Sequence, residues 1–561
     1  MPSLKLSTLP ILSLLPSLIQ ASPSCQPDAI NPPNIPGAKI TTLQATSIRN
    51  YAPWPAALGS IPAPERPLDF CNVTLTYTHP GWNDKVNVYV WLPLNETEWN
   101  GRFLATGGGG WAAGFEGGLA PAVALGYASA MTDAGHGSLD MGLGAAGWDG
   151  WLLHEPGVLN LPLLYDFAYV AVEDMTKMAK EFVRSFYGRE AEYSYWSGCS
   201  TGGRQGMAQA QRSPENYDGI LSMAPAMNWA SFIVAELWPH VIMNELGVHP
   251  PQCEFDAITA AAVEACDELD GVKDGIVSAH GQCTFDANIV AGKKISCNGN
   301  KDHKISQEAA QVAQETWQGP TNAAGDSLWP GLPRGTSFYI PEFGPFGGLV
   351  QTECPASSPT DGKKCSGRPF LMADTNLRSL IVKDPAFDTQ SVTRQDFYRL
   401  LQQSRLQQGS VMDTADPDLS AFKSAGGKLL HWHGIADQLI PVNGSTDYYS
   451  RVQALDSGVR DFYRYFEVPG VTHCGGGSGP FPETALESLV EWVEEGKAPG
   501  SIEGVVGAAK KPICAWPLVA VYKGGDVDKA ASFECKDDFA AFGFPKVEIA
   551  TATADGARDE L

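Results

Sequence analysis

Positive charge is what this chain has least of. Its 561 residues carry 39 Lys and Arg against 63 Asp and Glu, a formal net charge of −24. Such a surface repels phosphate backbones and anionic bilayers, which sets nucleic acid and membrane partners aside. Long apolar runs are missing too: beyond the N-terminus no stretch reaches the roughly 20 apolar residues that a bilayer span needs. The 12 cysteines include no C-x-x-C pair, which argues against a thiolate metal cluster. A tetraglycine, Gly107 to Gly110, is not followed by G-K-[ST], so a phosphate-cradling loop is the weaker reading of it. No internal repeat is visible. With 43% apolar and 18% charged residues, the chain reads as globular, with length for roughly two to four domain-sized units.

What is present starts at the N-terminus. Lys5, the proline-interrupted apolar stretch from Leu9 to Ile19, and the small residue Ala21 read as a signal peptide over residues 1–21. An even number of cysteines behind such a leader implies disulfides and export. Sequons at Asn72, Asn95 and Asn443 suit that route. The ending Arg558-Asp559-Glu560-Leu561 resembles a retrieval signal, which keeps the ER lumen open as a minority alternative to the extracellular space.

The pattern after Cys71 is strand-like at 72–77, 86–92 and 102–106, then helix and strand over 122–133, helix near 166–187, and strands at 193–196 and 219–225. Strands resume at 428–434 and 461–468, and a helix follows near 483–495. Alternating strands and helices predict an α/β fold with a mostly parallel sheet. Residues 22 to about 65, rich in Pro, Ala and Thr, read as wrapping loops and short strands, with Cys25 tied to Cys71. Residues 228–410 break the alternation and hold six of the cysteines. They predict an inserted lid domain over a catalytic domain made of 22–227 and 411–561.

The chemistry centres on Gly198-Cys199-Ser200-Thr201-Gly202, a G-x-S-x-G turn between a β-prone and a helix-prone stretch. A serine hydroxyl needs a base, and the base needs an orienting carboxylate. The order Ser, Asp, His of an α/β-hydrolase is supplied by Ser200, Asp437 after a strand, and His473 after the next. His431 and His433 share one strand face and read as satisfied core histidines; His136 either touches substrate or bonds its own backbone. The amide of Thr201 and one glycine of the tetraglycine, with Gly109 favoured, would form the oxyanion hole. Cys199 and Cys474 flank Ser200 and His473, so a bond between them would hold the two loops in register. Asp267, Asp270 and Asp274, with glycines between, read either as a solvated acidic turn or as a loop around a hard cation such as calcium.

Cys199-Ser200, Asp437 and His473-Cys474 together resemble the Cys-Ser, Asp, His-Cys pattern of the tannase and feruloyl esterase family, closest to its type-B feruloyl esterases. That resemblance implies an α/β-hydrolase core with a large lid and serine-dependent hydrolysis of aromatic carboxylic esters. It implies a structural Ca²⁺ held by Asp267, Asp270 and Asp274 and by the carbonyls of Val272 and Ile276. It also implies the pairs Cys25–Cys71, Cys199–Cys474, Cys266–Cys283, Cys354–Cys365 and Cys514–Cys535, which leaves Cys253 with Cys297. The expected activity is a secreted esterase for feruloyl-type esters of plant polysaccharide. Galloyl esters and esters of aromatic metabolites are the alternatives, and a non-enzymatic binding module is disfavoured by the intact triad.

Overall fold

The computed structural model describes residues 24–53, 59–95, 97–137 and 150–536. The leader expected over 1–21 and the ending at 558–561 lie outside the described residues. Nine strands make one sheet: β1 (Lys39–Tyr51), β2 (Leu68–Thr78), β3 (Val86–Pro93), β4 (Arg102–Thr106), β5 (Ala128–Thr132), β6 (Tyr193–Cys199), β7 (Gly219–Met223), β8 (Lys428–Gly434) and β9 (Tyr463–Val468). Their spatial order is β1-β2-β3-β5-β4-β6-β7-β8-β9. The first three strands and the β3–β5 pairing are antiparallel, and every pairing from β5 through β9 is parallel.

Parallel strands joined by crossovers must be covered on both faces, so their residues are apolar on both. The pleat then sends neighbours to opposite sides. Phe103, Trp196, Ile220 and Leu429 enter one buried cluster, while Leu104, Tyr195, Leu221 and Leu430 enter the other. Among the helices that flank the sheet or belong to the insertion are α1 (Ala171–Tyr187), α2 (Thr201–Arg212), α3 (Trp229–Ala235), α4 (Arg394–Met412), α5 (Asn443–Leu455) and α6 (Ala485–Glu495). α1 buries Val172, Met175, Ala179, Phe182 and Phe186 on the first face; α6 buries Leu486, Leu489 and Trp492 on the second.

One expectation changes. The segment read as wrapping loops and short strands contains the 13-residue β1, a long antiparallel edge strand. Residues 228–410 add no strand to the main sheet. Their buried side chains, however, such as Trp238, Phe255 and Phe397, belong to the same apolar cluster as one sheet face. The buried side chains of this segment are therefore continuous with the core beneath one face of the sheet. Among the described residues no helix is long and apolar enough to cross a membrane.

One charge network anchors the β2–β3 turn to α1. His79 Nδ1 lies 2.5 Å from Asp84 Oδ2 and 3.8 Å from Asp166 Oδ1, and its Nε2 lies 3.0 Å from Asp174 Oδ2. Burial opposes the charge on His79, but hydrogen bonds to Asp174 and Asp84 raise it from 6.5 to about 9. Burial, with Asp84 nearby, raises Asp166 from 3.8 to about 8. Both folded-state values lie above the unfolded ones, so both contributions weaken as pH rises: that of His79 is full below 6.5 and gone above about 9, that of Asp166 full below 3.8 and gone above about 8. Thermal unfolding should therefore show a midpoint that falls between about pH 6.5 and 9. The Asp166→Asn variant, neutral at every pH, should lose the part of that fall that ends near pH 8.

Candidate active site

The turn after β6 forces Ser200 into φ 60° and ψ −120°. A non-glycine residue there stores on the order of 1–3 kcal/mol of strain, which the surroundings must hold in place. They do so through the backbone: Ser200 N–H donates to Met223 O at 2.9 Å, and Ser200 O accepts from Ala226 N–H at 3.1 Å and Arg204 N–H at 2.9 Å. The turn is too tight for a side chain at Gly198, whose Cβ would fall 2.5 Å from the backbone of Gly202. The result lifts Ser200 above the C-terminal end of β6, a central strand of the sheet, at the start of α2.

Asp437 follows β8 and is wholly buried. Its Oδ1 accepts the backbone N–H groups of Leu439 and Ile440, each at 2.9 Å. Its Oδ2 takes His473 Nδ1 at 2.8 Å and His433 Nε2 at 3.0 Å. Burial pushes this carboxyl up, but the charge of His473 and the two histidine hydrogen bonds outweigh it and hold Asp437 well below the usual carboxylate range. The proton on His473 is thereby placed on Nδ1, which leaves Nε2 as the basic nitrogen. His433 Nε2 faces only acceptors, Asp437 Oδ2 and Ile440 O, so it carries a hydrogen, and Nδ1 accepts the hydroxyl of Ser445 at 2.8 Å. The sequence reading gave His433 a core role. It is satisfied, but one of its partners is the triad carboxylate. His431 Nδ1 lies 2.7 Å from Tyr463 Oη while its buried Nε2 has no hydrogen-bond partner, so this histidine is only half satisfied; it does not line the site.

Ser200 and His473 line one cavity of about 320 Å³. Cys199 and Cys474 are bonded, tying the nucleophile turn to the histidine loop across 275 residues. The other ten cysteines pair 25–71, 266–283, 354–365 and 514–535, as the family resemblance implied, and 253–297, the pair left over. The cavity floor is the tetraglycine. Gly107 N–H donates to Ser197 O at 3.2 Å and Gly108 N–H to Gln205 Oε1 at 3.1 Å, so neither is free to meet a ligand. The amides of Thr201, Gly109 and Gly110 remain for an oxyanion. Gln205 also donates to Ala113 O at 2.9 Å, and Thr201 Oγ1 donates to Gly110 O at 2.6 Å, so α2 clamps the glycine loop. The walls are apolar: Met223, Trp229, Phe232, Phe346, Phe370 and Met372, most of them from the insertion.

Within that wall stands a residue that sequence reasoning missed. Glu236, just after α3, is 3% exposed, and its Oε2 has no hydrogen-bond partner. No local motif marks it, because its burial comes from tertiary packing. His136 does not line the cavity; it stacks on Trp151 at 4.0 Å.

The aspartate loop is folded on itself. Asp267 Oδ1 accepts from the amides of Asp274, Gly275 and Ile276, and Asp270 Oδ1 from Val272 N–H. Lys511 Nζ reaches Asp274 Oδ2 at 2.6 Å. Asp267 and Asp270 are buried, and burial, reinforced by the charges of Asp274 and Asp267, pushes Asp270 up to about 6. An all-oxygen donor set with an excess of buried negative charge fits the chemistry of a calcium ion. Among the described residues, three metal-capable side-chain atoms converge within 4.8 Å at His79, Asp84 and Asp166 and not at this loop. Its carboxylates would have to draw together around an ion.

The three sequons differ in access. Asn95 is exposed. Asn72 sits inside β2 between Thr46 and Trp91 with its carboxamide oxygen buried, and Asn443 is half-buried at the start of α5 with Ser445 turned in to His433.

Comparison with known proteins places this geometry. A family model described as tannase and feruloyl esterase matches residues 71–536. A probable feruloyl esterase of Arthroderma benhamiae is 40% identical, over 96% of this chain and 98% of its own. A tannase of Aspergillus oryzae is 31% identical over 84% and 85%. The solved tannin acyl hydrolase of Aspergillus niger superposes with a TM-score of 0.80 at 28% identity, covering 91% of this chain and 94% of that one.

The Cys199–Cys474 bond joins two loops at the rim of the core, so its removal should loosen the site more than the fold. In a Cys199→Ala, Cys474→Ala double variant kcat should fall roughly 10²-fold, the scale of a 1 Å misplacement, while the far-ultraviolet circular dichroism is retained. An unchanged kcat would show that the bond does not set the geometry of Ser200 and His473.

Proposed function

The chain belongs to the tannase and feruloyl esterase family and is a carboxylic ester hydrolase, and from that premise we propose that it cleaves feruloyl-type esters of plant polysaccharide outside the cell. The observation that carries this is the strained Ser200 facing an aromatic-walled cavity together with a histidine oriented by a buried, ionised Asp437. Ser200 Oγ attacks the ester carbonyl while His473 Nε2 takes its proton. The carbonyl oxygen becomes an oxyanion at the N–H groups of Thr201 and Gly109. The tetrahedral centre collapses, the C–O bond to the alcohol breaks, and His473 gives that alcohol the proton. Water then attacks the acyl-enzyme, again losing a proton to His473, and the acid leaves as Ser200 regains its hydrogen. Asp437 stays ionised throughout and stabilises the imidazolium.

Support for a cinnamoyl over a galloyl substrate comes from the closer identity to the probable feruloyl esterase, 40% against 31% for the tannase. The likeness to the solved tannin acyl hydrolase keeps galloyl esters as the second reading. Calcium at Asp267, Asp270, Val272, Asp274 and Ile276 would be structural, pinning the insertion where Cys266–Cys283 already closes a short loop. Export through an oxidising compartment agrees with six disulfides and no free cysteine among the described residues.

On methyl ferulate, Ser200→Ala should lower kcat by about 10⁴-fold or more; hydrolysis at the wild-type rate would sink the serine mechanism. Across methyl ferulate, caffeate and gallate, ferulate should give the highest kcat/KM, and gallate in first place would favour the tannase reading. Metal analysis after exhaustive dialysis should find about one calcium per chain and none in Asp270→Ala; a metal-free wild type would remove the ion from the proposal.

A further inference from the structure

Glu236 is out of place in its surroundings. The cavity that Ser200 and His473 share is walled by aromatic and aliphatic side chains, and Glu236 and His473 are its two titratable members. Glu236 is 3% exposed, its Oε2 is without a hydrogen-bond partner, and no basic side chain pairs with it among the described residues. Leaving a polar group of this kind unsatisfied costs several kcal/mol. Nothing in the triad's chemistry uses it, since Asp437 already orients His473. Burial first, then the charge of Asp437, drives the Glu236 carboxyl well above its ordinary range, which favours the neutral acid, a group that both donates and accepts. An apolar, aromatic-walled cavity with one such buried group in its wall matches a ring that carries a hydroxyl.

We infer that Glu236 is a specificity-determining residue whose carboxyl hydrogen-bonds a ring hydroxyl of the aromatic acyl group, so that the site selects hydroxyaryl acyl esters over the same esters without the hydroxyl. The inference rests on the esterase reading and sharpens it. Sites built to bond a substrate hydroxyl reject analogues that lack it far more strongly than apolar pockets reject a missing methylene, because the recessed group is then left unpaired. Glu236 also borders a second cavity of about 20 Å³ behind the wall, room for one water, so a purely structural role is the competing outcome.

The test compares methyl 4-hydroxycinnamate with methyl cinnamate. The wild type should prefer the hydroxylated ester roughly ten- to hundredfold in kcat/KM, the worth of one or two such hydrogen bonds. Glu236→Met should bring that ratio to within about threefold of unity, mainly by slowing the hydroxylated ester, while methyl cinnamate is still hydrolysed. Glu236→Gln, whose amide still donates and accepts, should keep most of the preference. A wild-type ratio near one overturns the assignment whatever the variants do. So does a folded Glu236→Met or Glu236→Ala that slows both esters equally, the mark of a structural role. Failure of the wild type on both methyl esters and on 4-nitrophenyl acetate would instead overturn the esterase reading, so the two failures are distinct.

Discussion

A carboxylate with no exposed surface has to stay ionised, and much of this site is arranged to keep Asp437 so. Two backbone amides cap one of its oxygens and two imidazoles share the other. Remove the amides and burial would return the proton, and His473 would lose both its tautomer and its reason to hold still. The turn after β8 that supplies those amides also carries Ile440, whose carbonyl holds His433 in place. Strand, turn and base thus form one unit, and the β8–β9 pairing fixes where the next loop brings His473.

Around that unit the fold divides its labour. The parallel sheet sets the positions of Ser200, Asp437 and His473, whereas the insertion supplies most of what a substrate would touch. Trp229, Phe232, Phe346, Phe370 and Met372 all come from it, and it shares its apolar cluster with one face of the sheet. The catalytic groups therefore sit at the ends of sheet strands and most of the apolar cavity wall comes from the insertion, the two sharing one buried cluster.

What the sequence made legible depends on which forces act locally. β2 through β9 were readable because strict alternation, or apolarity on both faces, is a local imprint of burial. The Ser, Asp, His order was readable because each member comes after a strand. β1 was not, for its Lys-Ile-Thr-Thr-Leu-Gln edge has no face that is wholly buried. Nor were the roles of His433 and Glu236, which depend on contacts with residues on other elements: His433 with the turn and α5, Glu236 with cavity walls drawn from the sheet and the insertion. The commitment of the Gly107 and Gly108 amides depended in the same way on partners far along the chain, Ser197 O for the first and Gln205 Oε1 for the second.

The bond between Cys199 and Cys474 closes a ring of covalent chain that contains the entire insertion. Topology then gives the molecule a tolerance that its hydrogen bonds alone would not. A peptide bond hydrolysed anywhere between those two cysteines opens the ring and releases nothing, because the two fragments stay joined beside the serine and the histidine. Loops of the insertion are thus free to vary, or to be nicked, with the nucleophile and its base still on one covalently continuous molecule.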